Sequence, residues 1–438
     1  MNSNRYARSM EYLERAKLVT PGGAQTLSKQ AARFPQGAYP VALQFGSGAH
    51  VTDIDGNEYL DFICGLASMT LGYGREEITE AVLGQLSSGV TFSLPTTIEA
   101  EVAAKLTRII PCADMVRFVK TGSEATEAAI RVARRATGRS MIFTVDGGYH
   151  SWHSWFQATK PEHPGIPDHY TRMVHALPYN DLSAWEKAFA ACVAKGHEIA
   201  AVILEPCHYE QPRDAFLQTL RHMCDRYGTL LIFDEMVTGF RWSEGGAQRY
   251  FDVMPDLATF GKACANGFPL AFLCGRRDLM ELADVVSGTF GGEALSLAAC
   301  NAVLDIYRDE PVTETLWSLG AMLQDSLNEF ANDLDVGVVC DGYAVKPRIR
   351  FTDASKSAEC MSLFLQELAG LGILWHPAGG NISAAMTPTD MMEACMKFRD
   401  ALKVVNQSYV SGNWTRLTGK LIQQTSFVRK ETPYNDAR

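Results

Sequence analysis

Between residues 76 and 275 the chain alternates two patterns. Stretches with helical spacing, such as EEITEAVLGQLSSG and TIEAEVAAKLTRII, are interleaved with short apolar runs: MVRFVK, SMIFTV, AAVILEP, TLLIFDE and PLAFLCG. A strand that is apolar along its whole length has both faces covered, and the helices between such strands supply the cover. The pattern therefore predicts an α/β domain built on a mostly parallel sheet. In sheets of this kind ligands bind beyond the carboxyl ends of the strands. The polar residues that immediately follow each run are the place to look for chemistry.

After MVRFVK comes TGSEATEAAIRVARRATG, a glycine turn that opens a helix near Ser123. Backbone N–H groups and the positive end of a helix dipole make such a turn an anion site; a plain cap by Thr121 or Ser123 explains the same residues. After SMIFTV comes DGGYHSWHSW, which puts Tyr149 and His150 just past a strand. An aromatic ring there can cover a planar ligand or simply pack in a loop. Glu205 follows AAVIL, and Asp234 and Glu235 follow TLLIF. An acid at the end of a buried strand needs a capping N–H or a cation.

Lys262, in ATFGKACANGFPLAFLCG, sits among Ala263, Cys264, Ala265, Phe268 and Leu270 and reads as buried. A buried ammonium is costly, and a covalent role relieves the cost; a lysine at a turn with its head in water is the plain alternative. Each feature alone has an ordinary structural explanation. Together they form a phosphate cradle, a ring-covering aromatic, a strand-end acid and a buried lysine. Those are the parts a protein supplies to pyridoxal phosphate, which performs the carbanion chemistry once it is held and attached.

The flanks are simpler. SMEYLERAKLV is a short amphipathic helix stopped by TPGG, and AHVTDIDGNEYLDFI reads as two strands around an Asp55-Gly56 turn. From residue 311, ETLWSLGAMLQDSLNEFANDL and TDMMEACMKFRDALKVV are helices with shorter strand-like pieces between them. The expected division is an N-terminal segment 1–60 packing with the small domain, a large cofactor-binding domain 61–310, and a small α+β domain 311–438. The tail from about residue 408 is polar and poorly periodic and carries no assignment. A net charge of -10, from 40 basic and 50 acidic residues, leaves no cationic footprint for nucleic acid. No apolar run of about 18 residues predicts a membrane span, and the charged N-terminus does not read as a signal peptide. Eleven scattered cysteines without a C-x-x-C pair suit reduced thiols in a cytoplasmic protein, with no metal site expected.

Taken in order, these motifs resemble class III aminotransferases of the fold-type I pyridoxal phosphate group, in the branch that contains glutamate-1-semialdehyde 2,1-aminomutase. The resemblance runs from LVTPGG to AAMT. LLIFDEMVTGFR followed by PDLATFGKACANGFPLAFLCG carries it most specifically, and TGSEATEAAIRVAR, GGYHSWHSW and GTFGGEALSLAA support it. It implies a large domain with a mostly parallel seven-stranded sheet plus a smaller α+β domain. Position by position, it makes Lys262 the Schiff-base lysine and Asp234 the partner of the pyridinium nitrogen. Tyr149 would stack on the ring, Gly122 and Ser123 would bind the phosphate, and Glu205 would support the site near the ring hydroxyl. Thr289 would reach the phosphate from the neighbouring subunit, which implies a homodimer with shared active sites.

The departures bear on the reaction. Where the aminomutases typically read VNSPVR after PGG, this chain reads AQTLSK, placing Thr26 and Lys29 at the substrate carboxylate, with His150 also assigned to the substrate side. A lysine replaces a bidentate arginine fork poorly. An expected tryptophan is Leu66, and HPAGGNISAAMT is shorter than its counterpart and lacks its acid. That acid lies in the segment that shields a mutase intermediate. The expectation is an aminotransferase taking an amino group from an amino-acid donor such as glutamate to a ketone or aldehyde. GAQTLSK and GYHSWHSW resemble members of the family found in cell-surface sugar and nonulosonate pathways, a resemblance that implies a sugar or cell-surface carbohydrate precursor as acceptor. The alternatives are a 2,1-aminomutase and a catalytically silent binding protein.

Overall fold

The computed structural model describes residues 5–160, 165–196, 198–207 and 209–422. These fall into two compact units: Glu80–Tyr307, and the residues up to Thr79 together with those from Arg308 on.

The Glu80–Tyr307 unit is built on seven strands. Their order across the sheet is Met115–Val119, Ala271–Gly275, Leu257–Phe260, Leu230–Asp234, Ile199–Leu204, Met141–Val145 and Val174–Leu177. Ala271–Gly275 runs antiparallel to both its neighbours, and the other adjacent pairs are parallel. Every residue of Ile199–Leu204 is at most 2% exposed, as an unbroken apolar strand requires. On one face Ala201, Ile203, Ile232, Leu257 and Leu273 join a core with Ala128, Ala129, Val132 and Ala133 of the helix Gly122–Thr137. The alanines let that helix lie close to the sheet. Alternation turns Phe143 to the other face, where it meets Trp185 and Phe189 edge-on at 6.3 and 5.3 Å. Fully burying each such Ile or Phe contributes about 1.5–3 kcal/mol. The strands ending at Val119, Val145, Leu204, Asp234 and Phe260 all point the same way, so their following residues share one edge of the sheet.

The other unit holds an antiparallel meander, Leu43–Ser47, His50–Asp53 and Glu58–Asp61, extended by Ile373–Leu374 in parallel with Glu58–Asp61. The Asp55-Gly56 turn is closed by Asp53, whose Oδ1 accepts from the N–H groups of Asp55 and Asn57 at 3.0 and 2.8 Å. A hairpin, Val338–Tyr343 with Lys346–Phe351, and the helices Val312–Ala331, Ser357–Gly370 and Pro388–Ser411 complete it. Residues 61–79, expected in the large domain, belong here. Main-chain bonds hold them: Asn381 N to Phe62 O at 2.7 Å, Ala384 N to Thr70 O at 2.8 Å and Tyr73 N to Gly48 O at 2.7 Å. No helix among the described residues is long and apolar enough to cross a membrane.

The unassigned tail has a definite path as far as residue 422. Its first residues finish the helix ending at Ser411, which Gly412 closes at φ 67°. Beyond it, Gln366 Oε1 accepts from Thr418 N and Gly419 N at 2.8 and 3.0 Å, Arg416 pairs with Glu367 at 3.0 Å, and Ser362 Oγ accepts from Ile422 N at 3.0 Å. Polar bonds to one helix hold this stretch, so it shows no apolar period. Residues 423–438 lie outside the described ones.

His376 links two of this unit's loops. Its Nδ1 accepts from Ala378 N at 3.1 Å, its Nε2 donates to Ser28 O at 3.3 Å, and its ring meets Phe34 edge-on at 5.6 Å. Burial pushes its pKa down to about 4, with the charges of Lys346 and Arg33 adding to the effect. A histidine whose folded pKa lies below its unfolded value of about 6.5 stabilises fully above that pH and loses the contribution as pH falls toward 4. The loss should reach about 2 kcal/mol, less than the full shift because water still touches the ring. His376→Gln should therefore flatten the fall in melting temperature between pH 6.5 and 4; a slope equal to the parent's would remove His376 from that account.

Candidate active site

Asp234 closes its strand with a carboxylate that is 2% exposed. Three donors reach it from three directions. Oδ2 lies 2.8 Å from Nδ1 of His150, and Oδ1 accepts from Met236 N at 3.1 Å and from Thr259 Oγ1 at 3.2 Å. Thr259 is Asp234's register partner on the next strand, so its hydroxyl arrives by sheet geometry alone. The contact sets the His150 tautomer with the proton on Nδ1, because a carboxylate can only accept. His150 was expected to face the substrate. The structure instead folds its ring onto Asp234 with no side-chain exposure, and Nε2 has no partner among the described residues. Thr126 Oγ1 ties this loop to the helix Gly122–Thr137, contacting His150 O, His153 Nε2 and Gly122 O, each at 3.0 Å.

The cradle is set by a capping box. Glu124 Oε2 accepts from the N–H groups of Lys120 and Thr121 at 2.8 and 2.9 Å, while Thr121 Oγ1 accepts from Glu124 N at 3.2 Å. With those donors consumed, the N–H groups of Gly122 and Ser123 open the helix without a partner among the described residues. They are the donors an anion would meet.

Met236 gathers these parts. A Cβ on Gly122 would come within 3.1 Å of Met236 Sδ, and one on Gly261 within 2.7 Å of the same atom. Glycine at both positions lets the cradle and the lysine turn close on the residue that follows Asp234 and Glu235. Lys262 comes next, at φ 48°, a left-handed conformation that a lysine adopts at a cost of about 1–3 kcal/mol. Ala263, Cys264 and Ala265 are at most 2% exposed, as expected, but Lys262 itself is only half-buried.

Tyr149 has a ring 54% exposed, edge-on to Phe156 at 6.0 Å, close enough to Asp234 for that charge, after burial, to raise its phenol pKa. Glu205 is half-buried after its strand, where the Tyr179 hydroxyl holds the following Pro206 O at 2.7 Å. Thr289 stands in an exposed loop. Thr26 and Lys29 are exposed residues of the other unit. Glu235 is a different kind of acid. It is 0% exposed and accepts from Ala247 N at 2.7 Å, Gln248 N at 2.9 Å and the Thr238 hydroxyl. Its oxygens are taken up by the fold, so it is structural. The residues that sequence reading passed over are Thr259 and Met236. Thr259 had a signal, since it sits three residues before Lys262 on a strand beside Asp234's; Met236 had none.

These residues fit pyridoxal phosphate: two unpartnered N–H groups for the phosphate, a strand-end carboxylate for a ring N–H, and a lysine on the turn between them. Comparison with known proteins agrees. The family model for Aminotransferase class-III matches residues 34–402. The 3-aminobutyryl-CoA aminotransferase of Cloacimonas acidaminovorans is 36% identical over 355 residues, covering 79% of this chain and 84% of that protein. The glutamate-1-semialdehyde 2,1-aminomutase of Syntrophobacter fumaroxidans is 35% identical over 399 residues, 85% of this chain and 91% of that protein. The FumI protein of Sphingopyxis sp. MTA144, solved with pyridoxal phosphate, is 30% identical with a TM-score of 0.87, over 92% of this chain and 98% of that one. The chain belongs to the class III aminotransferases. It is a fold-type I enzyme whose cofactor is pyridoxal 5'-phosphate.

The two adjacent acids should separate in a stability measurement. Glu235→Ala leaves two buried N–H groups unpaired and should cost about 3 kcal/mol, seen as a lower melting temperature of the holoenzyme. A variant as stable as the parent would contradict the structural assignment.

Proposed function

We propose that this enzyme moves an amino group between two separate molecules, from an amino-acid donor such as glutamate to a ketone or aldehyde acceptor. The observation that carries the reading is the composition of residues 376–386, the stretch corresponding to the mutase shield. It lacks an acid, and its main chain is pinned: Gly380 N to Pro347 O at 2.8 Å, Asn381 N to Phe62 O at 2.7 Å and Ala384 N to Thr70 O at 2.8 Å. Ile382 and Ser383 are at most 1% exposed. A stretch without an acid offers no carboxylate to shield an intermediate, so the first product leaves and a second carbonyl compound takes its place. Lys29 adds a second support, because a point charge on a flexible stem suits varied acceptors better than an arginine fork. The resemblance of GAQTLSK and GYHSWHSW to family members of cell-surface sugar pathways supports a sugar or cell-surface carbohydrate precursor as acceptor.

When bound, the cofactor supplies the electron sink that stabilises negative charge on the amino-bearing carbon. The chain does the rest. Lys262 is the attachment point, and its Nζ takes the proton from that carbon and returns it. Asp234 accepts the ring N–H, with His150, Met236 and Thr259 fixing the direction of its oxygens. Gly122 and Ser123 donate to the phosphate, Tyr149 covers the ring and Glu205 supports its hydroxyl side. Thr26 and Lys29 contact the substrate. Thr289 completes the phosphate site of a second subunit, making the working unit a homodimer, and the eleven free cysteines suit a cytoplasmic setting.

The relative named glutamate-1-semialdehyde 2,1-aminomutase, at 35% identity, keeps internal rearrangement as the second reading. Nitrogen-15 donor decides between them. Transamination puts the label in the product, and donor alone converts the cofactor to its amine form; rapid formation of 5-aminolevulinate from glutamate-1-semialdehyde without label would reverse the assignment.

Lys262→Ala should lower turnover by about a thousandfold or more, and Asp234→Asn by about a hundredfold, both with cofactor still bound. A near-normal half-reaction in either variant would remove that residue's role. Mixing Lys262→Ala chains with Thr289→Ala chains should restore activity at one of the two sites of a mixed dimer. No recovery after verified subunit exchange would count against shared sites.

A further inference from the structure

The end of the strand Met115–Val119 carries an ion pair that none of these roles uses. Lys120 Nζ lies 2.5 Å from Glu293 Oε1, with the two side chains 17% and 7% exposed. The same ammonium donates to Pro269 O at 2.8 Å and Ser296 Oγ at 3.2 Å, so its three protons have three partners. Pro269 belongs to the turn that follows Lys262. Glu293 ends the loop that carries Thr289 and also caps the helix Ala294–Asp309, accepting from Leu295 N and Ser296 N at 2.7 and 3.0 Å. That loop lies against the strand end, since a Cβ on Gly291 would come within 3.1 Å of Phe118 O. Lys120 is also joined to the cradle, through its N–H on Glu124 and by standing two residues before Gly122.

Glu293 caps its helix with its own oxygens and needs no cation for that. What the cation changes is the charge beside the cradle. Without it, a buried carboxylate would stand next to the place where a phosphate with up to two negative charges is held. We propose that Lys120 is a positioning residue for the cofactor's phosphate end. It does so by cancelling the Glu293 charge beside the cradle. The inference rests on the reading of Gly122 and Ser123 as the phosphate donors.

The test is equilibrium binding of two probes to the cofactor-free full chain: pyridoxal 5'-phosphate, and pyridoxal, which lacks the phosphate. Lys120→Met should weaken pyridoxal phosphate by about tenfold or more, as expected when a buried charge loses its partner, and leave pyridoxal unchanged. Lys120→Arg should bind both probes as the parent does. Glu293→Gln, which leaves the cation in place, should bind pyridoxal phosphate no more weakly than the parent. Adding Glu293→Gln to Lys120→Met should recover most of the lost affinity. Equal losses for both probes, or a double variant as weak as Lys120→Met, would reduce the pair to a structural clamp and overturn the proposal. If Lys120→Met does not fold, Glu293→Gln decides, because weakened phosphate binding there also overturns it. A parent chain that failed to prefer pyridoxal phosphate over pyridoxal would instead remove the cradle reading itself.

Discussion

A carboxylate buried at the end of a central strand must be satisfied or the strand cannot end there. Asp234 is satisfied by three donors from three segments: the loop after Val145, the neighbouring strand and its own turn. Leaving such a charge without partners would cost several kcal/mol, so those segments have little freedom to move independently. Met236 passes the constraint on. Its N–H is spent on Asp234, while its side chain is the surface against which Gly122 and Gly261 close. The positions of the cradle and of Lys262 thus follow from how one acid is held. Glu235, the next residue, shows the contrast: backbone N–H groups and a hydroxyl occupy its oxygens, and nothing remains for chemistry.

Much of this was legible because strands covered on both faces announce themselves. The runs ending at Val119, Val145, Leu204 and Asp234 marked the sheet edge, and the polar residues after them mark the site. Val174–Leu177 did not stand out, being a four-residue edge strand with two partly exposed positions. His150 was found but misplaced. Sequence shows that it follows a strand, yet only tertiary packing shows that its ring turns back onto Asp234. Lys262 is less buried than its apolar neighbours suggest: Ala263, Cys264 and Ala265 are at most 2% exposed while Lys262, at φ 48°, is half-buried. The boundary at residue 60 failed because sequence spacing does not reveal the long-range bonds from 381 and 384 to Phe62 and Thr70.

Two carboxylates buried in the Glu80–Tyr307 unit have cations beside them: Asp256 is held by Arg221 and Arg276, each at 2.8 Å, and Glu293 by Lys120. With Lys120 paired to Glu293, its charge is not free to draw a phosphate in. On the proposed role of Gly122 and Ser123, the attraction would come from their N–H groups and from the dipole of the helix they open, which is 16 residues long. Backbone donors do not titrate and are fixed in direction, so any pH dependence of such a grip would come from the phosphate, whose second pKa is about 6. A lysine or arginine at the same spot would bind more strongly through space but with a side chain free to choose its angle. On the proposed roles the ring would have to stay in line with Asp234 while Lys262 works, and direction would then matter more than strength. With Lys120 already paired to Glu293, the weaker but better-aimed backbone donors would decide where the phosphate sits.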